Sequence, residues 1–234
     1  MGRDVIVACD FENRRDTFDF LDRFEGVKPF VKIGMELFYA EGPSAVEEIK
    51  KRGHRIFLDL KLHDIPNTVK RTMAVLSRLG VDMCNVHASG TVRMMEAALD
   101  GLSRVQAGDL RPVVIAVTQL TSTDGYALKN DLLISRPMEE VVLHYAERAK
   151  QAGLDGVVCS ALEAEAVHGR CGSDFVTVTP GVRFHDGDRG DQKRVVTPAE
   201  AKKRGSDYIV VGRPITRAAD PVAEYLRFVR EFKD

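Results

Sequence analysis

The chain has 234 residues, 44% of them hydrophobic, and a formal net charge of −1. That is enough apolar material for a sizeable core in one large domain or two small ones. The near balance of 34 basic against 35 acidic residues gives no sign of the basic footprint of a nucleic-acid-binding surface, so basic groups that bind an anion must be local.

The first apolar run is Val5–Cys9. At about five residues it is too short for a signal-peptide core or a membrane span, so a cytoplasmic protein with no membrane partner is expected. Further runs follow at Phe30–Ile33, Arg55–Leu60, Met83–His87, Val113–Val117, Gly156–Ser160, Phe175–Thr179 and Tyr208–Val211. They are almost continuously apolar, as parallel strands covered on both faces are. Cys9, Cys84 and Cys159 fall inside such runs, where a free thiol behaves as a small hydrophobe. With Cys171 they form no C-x-x-C pair, and a disulfide framework is not expected.

Helix signals fill the segments between. Met138, Val141, Val142, Tyr145 and Ala149 recur at helical spacing after Pro137. Thr197-Pro-Ala-Glu200 is a capping box with proline at the first helical position, and Asp220-Pro221 repeats the cap-plus-proline logic. A weak repeat, Gly80-Val-Asp82, Gly153-Leu-Asp155 and Gly205-Ser-Asp207, precedes three of the strands. Its glycine suits the end of a helix, where φ is positive. Eight such units predict a TIM barrel, (β/α)8, as a single domain over residues 1–234. A doubly wound open sheet is the alternative, weakened because no G-x-G-x-x-G follows the first strand.

In such a barrel chemistry belongs at the C-terminal strand ends. There the sequence places Asp10, Lys32, Asp59-Leu-Lys61-Leu-His-Asp64, Asn85-Val-His87, Thr118-Gln-Leu-Thr121-Ser122, Arg183 and Gly212-Arg213. Asp10 alone reads equally well as a turn or cap residue. A lysine inside a strand, as Lys32 is, must be paired or functional. Asp59 and Lys61 are two apart and so point the same way. A lysine among carboxylates holds its proton and can deliver it to a developing carbanion; the bland reading is a structural ion pair at the barrel mouth. His63 and His87 read as structural. Asp10 and Asp59 offer oxygen ligands for magnesium, but Lys32 and Lys61 put positive charge where the ion would sit, which argues against a metal. Gly212-Arg213 after the last strand suits a phosphate, with Arg183 and Gln192 placed to close over it. The polar stretch Arg183–Arg194 reads as a mobile loop.

Phe57-Leu-Asp-Leu-Lys-Leu-His-Asp-Ile-Pro-Asn-Thr68, with Val31-Lys-Ile-Gly34, Asn85-Val-His-Ala-Ser-Gly90, Thr179-Pro-Gly-Val-Arg183, Gly190-Asp-Gln192 and Val211-Gly-Arg-Pro214, resembles the bacterial orotidine 5′-phosphate decarboxylase family over nearly the whole chain. The resemblance implies decarboxylation of orotidine 5′-monophosphate to UMP without cofactor or metal. It implies that Lys61 protonates C6, with Asp59, Asp64 and Lys32 completing a charged row. Asp10 and Lys32 would contact the ribose, Thr121 the pyrimidine, with Ser122 placed to share that contact, and Arg183, Gln192, Gly212 and Arg213 the phosphate. It further implies a homodimer in which Asp64 and Thr68 reach the partner's site. Rival readings are a magnesium-dependent sugar-phosphate lyase sharing Asp-x-Lys-x-x-Asp, a sugar-phosphate epimerase, and a non-catalytic phosphate-binding barrel.

Overall fold

The computed structural model describes residues 2–104, 111–184 and 196–234. Eight parallel strands lie among them: β1 (Asp4–Ala8), β2 (Phe30–Gly34), β3 (Ile56–Leu62), β4 (Met83–His87), β5 (Val113–Val117), β6 (Gly156–Val158), β7 (Val176–Pro180) and β8 (Tyr208–Val211). They pair in chain order and close, β1 against β8. The expected (β/α)8 barrel is therefore the architecture, and the open sheet is excluded.

Alternation along each strand sorts the side chains. Val5, Val7, Val31, Ile33, Leu58 and Cys84 face outward into the layer between strands and helices. Ile6, Ala8, Phe30, Phe57, Met83, Ile115, Val178 and Val210 face inward and fill the barrel. Because both faces are buried, the strands read as unbroken apolar runs, and the in–out order is hidden in the sequence. All four cysteines are free and buried. Burial pushes the Cys9 and Cys84 thiols up to about 12, which keeps them protonated and inert.

The helix signals act as expected. The Thr197–Glu200 capping box forms in both directions with Pro198 in the first turn, and the Asp220 carboxylate accepts from the N–H groups of Val222 and Ala223. The helix Met138–Gln151 follows Pro137. Gly80, Gly153 and Gly205 all adopt positive φ, at 62°, 86° and 85°.

The aspartate of the same repeat has a role that spacing did not suggest. Asp82, just before β4, accepts from the N–H of Ile56 on β3 at 2.8 Å. Asp155, before β6, accepts from Val114 on β5 at 2.7 Å, and Asp207, before β8, from Thr177 on β7 at 2.8 Å. Each caps the start of the preceding strand, whose N–H groups would otherwise face the barrel floor unpaired. Each is also held by a basic group: Lys50 at 2.8 Å, Arg111 at 2.6 and 2.7 Å, and His168 at 3.3 Å.

Several strand limits differ from expectation. β1 spans Asp4–Ala8 rather than Val5–Cys9, and β7 begins at Val176 rather than Phe175. β6 stops at Val158, not Ser160. Ser160 instead donates its N–H to Glu163 Oε2 at 2.8 Å, and Glu163 returns its own N–H to the Ser160 carbonyl. β3 runs on through Lys61 to Leu62 instead of ending at Leu60, at the cost of a register shift against β4 between Leu58 and Leu62. The expected mobile loop Arg183–Arg194 lies, from residue 185 onward, outside the described residues.

Candidate active site

Ala8, on β1, is paired with Lys32 on β2, and Gly34 with Asp59 on β3. This register sets four charged groups side by side across the mouth. Lys32 Nζ donates to Asp10 Oδ1 at 2.8 Å and lies 3.3 Å from Asp59 Oδ2; Lys61 Nζ donates to Asp59 Oδ1 at 2.8 Å. The order Asp10, Lys32, Asp59, Lys61 alternates in sign. Lys32 and Asp59 are only 9% and 7% exposed. An unpaired charge so placed costs several kcal/mol, so Lys32 and Asp59 each need an opposite charge beside them, which each gives the other.

The electrostatics follow from that. Burial works against a charged Lys32, but Asp10 and then Asp59 outweigh it and hold its pKa above the usual lysine value. Burial likewise opposes ionisation of Asp59. Lys32 and Lys61, with hydrogen bonds from Lys61 and Asn85, reverse this and hold its carboxyl below the ordinary range. Both stay charged at neutral pH.

Three of the row, Lys32, Asp59 and Lys61, line one side of a cavity of about 270 Å³, and Asp10 stands outside its wall. Val117, Val158, Val178 and Val210, from β5 to β8, form an apolar wall opposite. Thr121 and Ser122 both line it, so the structure brings the two candidates for one contact to the same place. A charge facing an apolar wall is weakly screened, which strengthens its action on a bound group.

The local backbone is unusual where it matters most. Lys61 has φ 50°, a left-handed conformation that costs a non-glycine residue about 1–3 kcal/mol. It lies within the bulge of β3, where the register against β4 shifts between Leu58 and Leu62. Asn85, 1% exposed on β4, spans the distortion: its Oδ1 accepts from the Lys61 N–H at 2.8 Å, and its Nδ2 donates to Asp59 Oδ1 at 2.7 Å. Sequence reasoning noted Asn85 at a strand end and gave it no role. Gly34 was also missed. A Cβ there would stand 3.0 Å from Asp10 Oδ1 and 3.2 Å from Lys32 Nζ, pressing on the ion pair.

The other expected residues are more dispersed. Arg183 is buried and Arg213 half-buried after β7 and β8, and Gly212 caps the short helix Arg213–Thr216; none of the three is in the cavity wall. Gln192 lies outside the described residues. Asp64 and Thr68 are exposed, and the Asp64 carboxylate accepts from the Ile65 N–H at 2.7 Å instead of meeting Lys61. His63 and His87 face each other with ring centroids 5.6 Å apart, and neither lines the cavity. Among the described residues no group of three or more His, Cys, Asp or Glu is placed to hold a metal ion.

Residues 3–228 match the model of the orotidine 5′-phosphate decarboxylase / HUMPS family. The orotidine 5′-phosphate decarboxylase of Geobacillus sp. (strain WCH70) is 58% identical over 234 residues, covering 100% of this chain and 98% of the relative. That of Bacillus cereus (strain AH820) is 54% identical over 226 residues, 96% and 95% of the two chains. The crystal structure of orotidine 5′-phosphate decarboxylase from Lactobacillus acidophilus superposes with a TM-score of 0.89 at 43% identity, covering 99% of this chain and 100% of that one. With the barrel, the charged row and these likenesses in agreement, the chain belongs to the orotidine 5′-phosphate decarboxylase / HUMPS family.

Proposed function

We propose that this chain is a carboxy-lyase that converts orotidine 5′-monophosphate to UMP in pyrimidine biosynthesis, with Lys61 as the proton donor and no metal or cofactor. The observation that carries this reading is the Asp10–Lys32–Asp59–Lys61 row, whose last three members face an apolar wall. The family match and the names of the relatives support the substrate.

The step begins with the C6–carboxylate bond breaking. CO2 departs and the electron pair stays on C6. The Lys61 ammonium stabilises that pair and then passes it a proton, after which the neutral amine regains a proton from water. Preplaced charge in a site shielded from water needs no reorganisation at the moment of reaction, which is where most of the stabilisation arises. A magnesium-assisted route is disfavoured because the ammonium groups of Lys32 and Lys61 already hold Asp10 Oδ1 and both oxygens of Asp59.

Asp10 and Lys32 hold the ribose, Thr121 the pyrimidine, and Arg183, Gln192, Gly212 and Arg213 the phosphate. Residues 1–234 act as one catalytic domain in the cytoplasm, with no nucleic-acid or membrane partner. No helix among the described residues is long and apolar enough to cross a membrane. The working form is a homodimer in which Asp64 and Thr68 enter the partner's site. Its support is the exposure of both residues and of Ile65 between them, an apolar side chain left 68% exposed.

The test is the fall in orotidylate absorbance on adding the purified chain, with and without excess EDTA. Equal rates are expected. No fall in either arm would reject the activity, and a fall abolished by EDTA would reject the metal-independent mechanism.

A further inference from the structure

We propose that Asn85 is a positioning residue for the decarboxylation, holding Asp59 and the β3 bulge so that the Lys61 ammonium points into the cavity. This rests on the reading of Lys61 as proton donor and adds to it the element that aims it.

The argument starts from the backbone. Lys61 sits at φ 50° in a strand that has slipped two residues against its neighbour, Leu58 standing opposite Cys84 and Leu62 opposite Val86. A lysine does not hold that conformation unless its surroundings impose it. The Asn85 side chain is the group that reaches in: Oδ1 takes the Lys61 N–H at 2.8 Å. The other end of the same amide donates to Asp59 Oδ1 at 2.7 Å, the oxygen that also receives Lys61 Nζ at 2.8 Å. The four groups close a ring: Lys61 backbone, Asn85 amide, Asp59 carboxylate, Lys61 ammonium.

The chemistry selects asparagine. The Lys61 N–H requires an acceptor and the Asp59 carboxylate requires a donor, and a primary amide offers both at the right separation. Aspartate supplies no donor when ionised, and serine or alanine cannot span the two sites. Asn85 itself is buried and absent from the cavity wall. It therefore acts through Asp59 and Lys61, and its loss should leave nucleotide binding almost unchanged.

The experiment compares Asn85→Ala and Asn85→Asp with the parent chain and with Lys61→Ala. It measures kcat and KM for orotidylate, UMP affinity by calorimetry, and the thermal unfolding midpoint. A misdirected reacting group costs roughly a hundredfold. The expected result is a fall in kcat of about that size in Asn85→Ala, with UMP affinity within about threefold of the parent. Asn85→Asp, nearly identical in shape, should lose at least about tenfold in kcat while remaining folded. Turnover within about threefold of the parent in both variants, alongside an inactive Lys61→Ala, would overturn the role of Asn85 and leave that of Lys61 standing. Loss of UMP binding or of the unfolding transition in step with kcat in both variants would also overturn it, making Asn85 a packing residue only. Near-normal turnover by Lys61→Ala would remove the donor reading itself.

Discussion

At the C-terminal ends of the strands, Asp59 divides its oxygens among Lys32, Lys61 and Asn85, and the cluster opens on a cavity. At the N-terminal ends, Asp82, Asp155 and Asp207 each give an oxygen to the backbone of a neighbouring strand and to a basic side chain at the rim. The residue types are the same; what differs is what the carboxylate bonds to. At the floor it bonds to backbone N–H groups that folding would otherwise strand, so it adds stability. At the mouth it bonds almost wholly to other charges, which offset one another's burial cost and hold the Lys61 ammonium on the cavity wall. A charged network that stabilises little in return for its desolvation is expected where function, not stability, retains it.

This contrast can be broken by substitution. The largest effect is expected for Lys61→Ala, with turnover falling roughly 10⁴-fold while UMP binding persists and the thermal midpoint stays close to the parent value. Steady-state kinetics, calorimetry and thermal unfolding on one preparation would check all three. The dimer reading sharpens the same point. Lys61→Ala and Asp64→Ala are each expected to be nearly inactive, and mixing them after confirmed chain exchange should restore about a quarter of parent activity. Half the dimers are then mixed, each carrying one intact site. Exchange without recovery would place Asp64 outside the partner's site.

Next in size is Arg213→Ala. Loss of one charge-assisted hydrogen bond to the phosphate should lower kcat/KM about 10- to 150-fold, mainly through KM. Unchanged kinetics would put the phosphate elsewhere. At the floor the outcome should invert. Asp155→Ala removes a strand cap and leaves Arg111 without its bidentate partner. It should cost about 2 kcal/mol of stability, read from denaturant unfolding, while kcat stays within about twofold. A large fall in kcat at unchanged stability would mean that the two ends are not separable.

The smallest expected effect is on pH dependence. His54 at the floor and His87 at the mouth are both held neutral, chiefly by burial. For His87 the neighbouring His63 and Lys61 act in the same direction. Each binds a proton less readily folded than unfolded. The stability they contribute is therefore full above about pH 6.5 and declines as the pH falls through their lowered folded values. Thermal midpoints taken from about pH 7 down to about pH 5 should decrease, and less steeply in His54→Gln. An equal slope in that variant would assign the effect to other groups.

Much of the molecule is legible from residue types along the chain. Each of the eight apolar runs yields a strand, with limits shifted by a residue or two, and the helix starts at Thr197 and Asp220 are local signals that folding leaves in place. The same is true of the positive-φ glycines at 80, 153 and 205. Lys32 and the Asp59–Lys61 pair stand out because charge inside a strand is costly enough to demand a partner, and the two-residue period puts Asp59 and Lys61 on one face. What sequence could not reveal lies between strands. Asn85 is 26 positions from Asp59 and 24 from Lys61, and its bonds to both exist only once β3 and β4 are in register. The space that Gly34 leaves for the Asp10–Lys32 pair, and the reach of Asp82, Asp155 and Asp207 to the preceding strand, depend on the same closure. Local chemistry determined which elements form and which charges must be paired. Barrel closure decided which neighbours pair them, because register is a property of two strands and is written in neither alone.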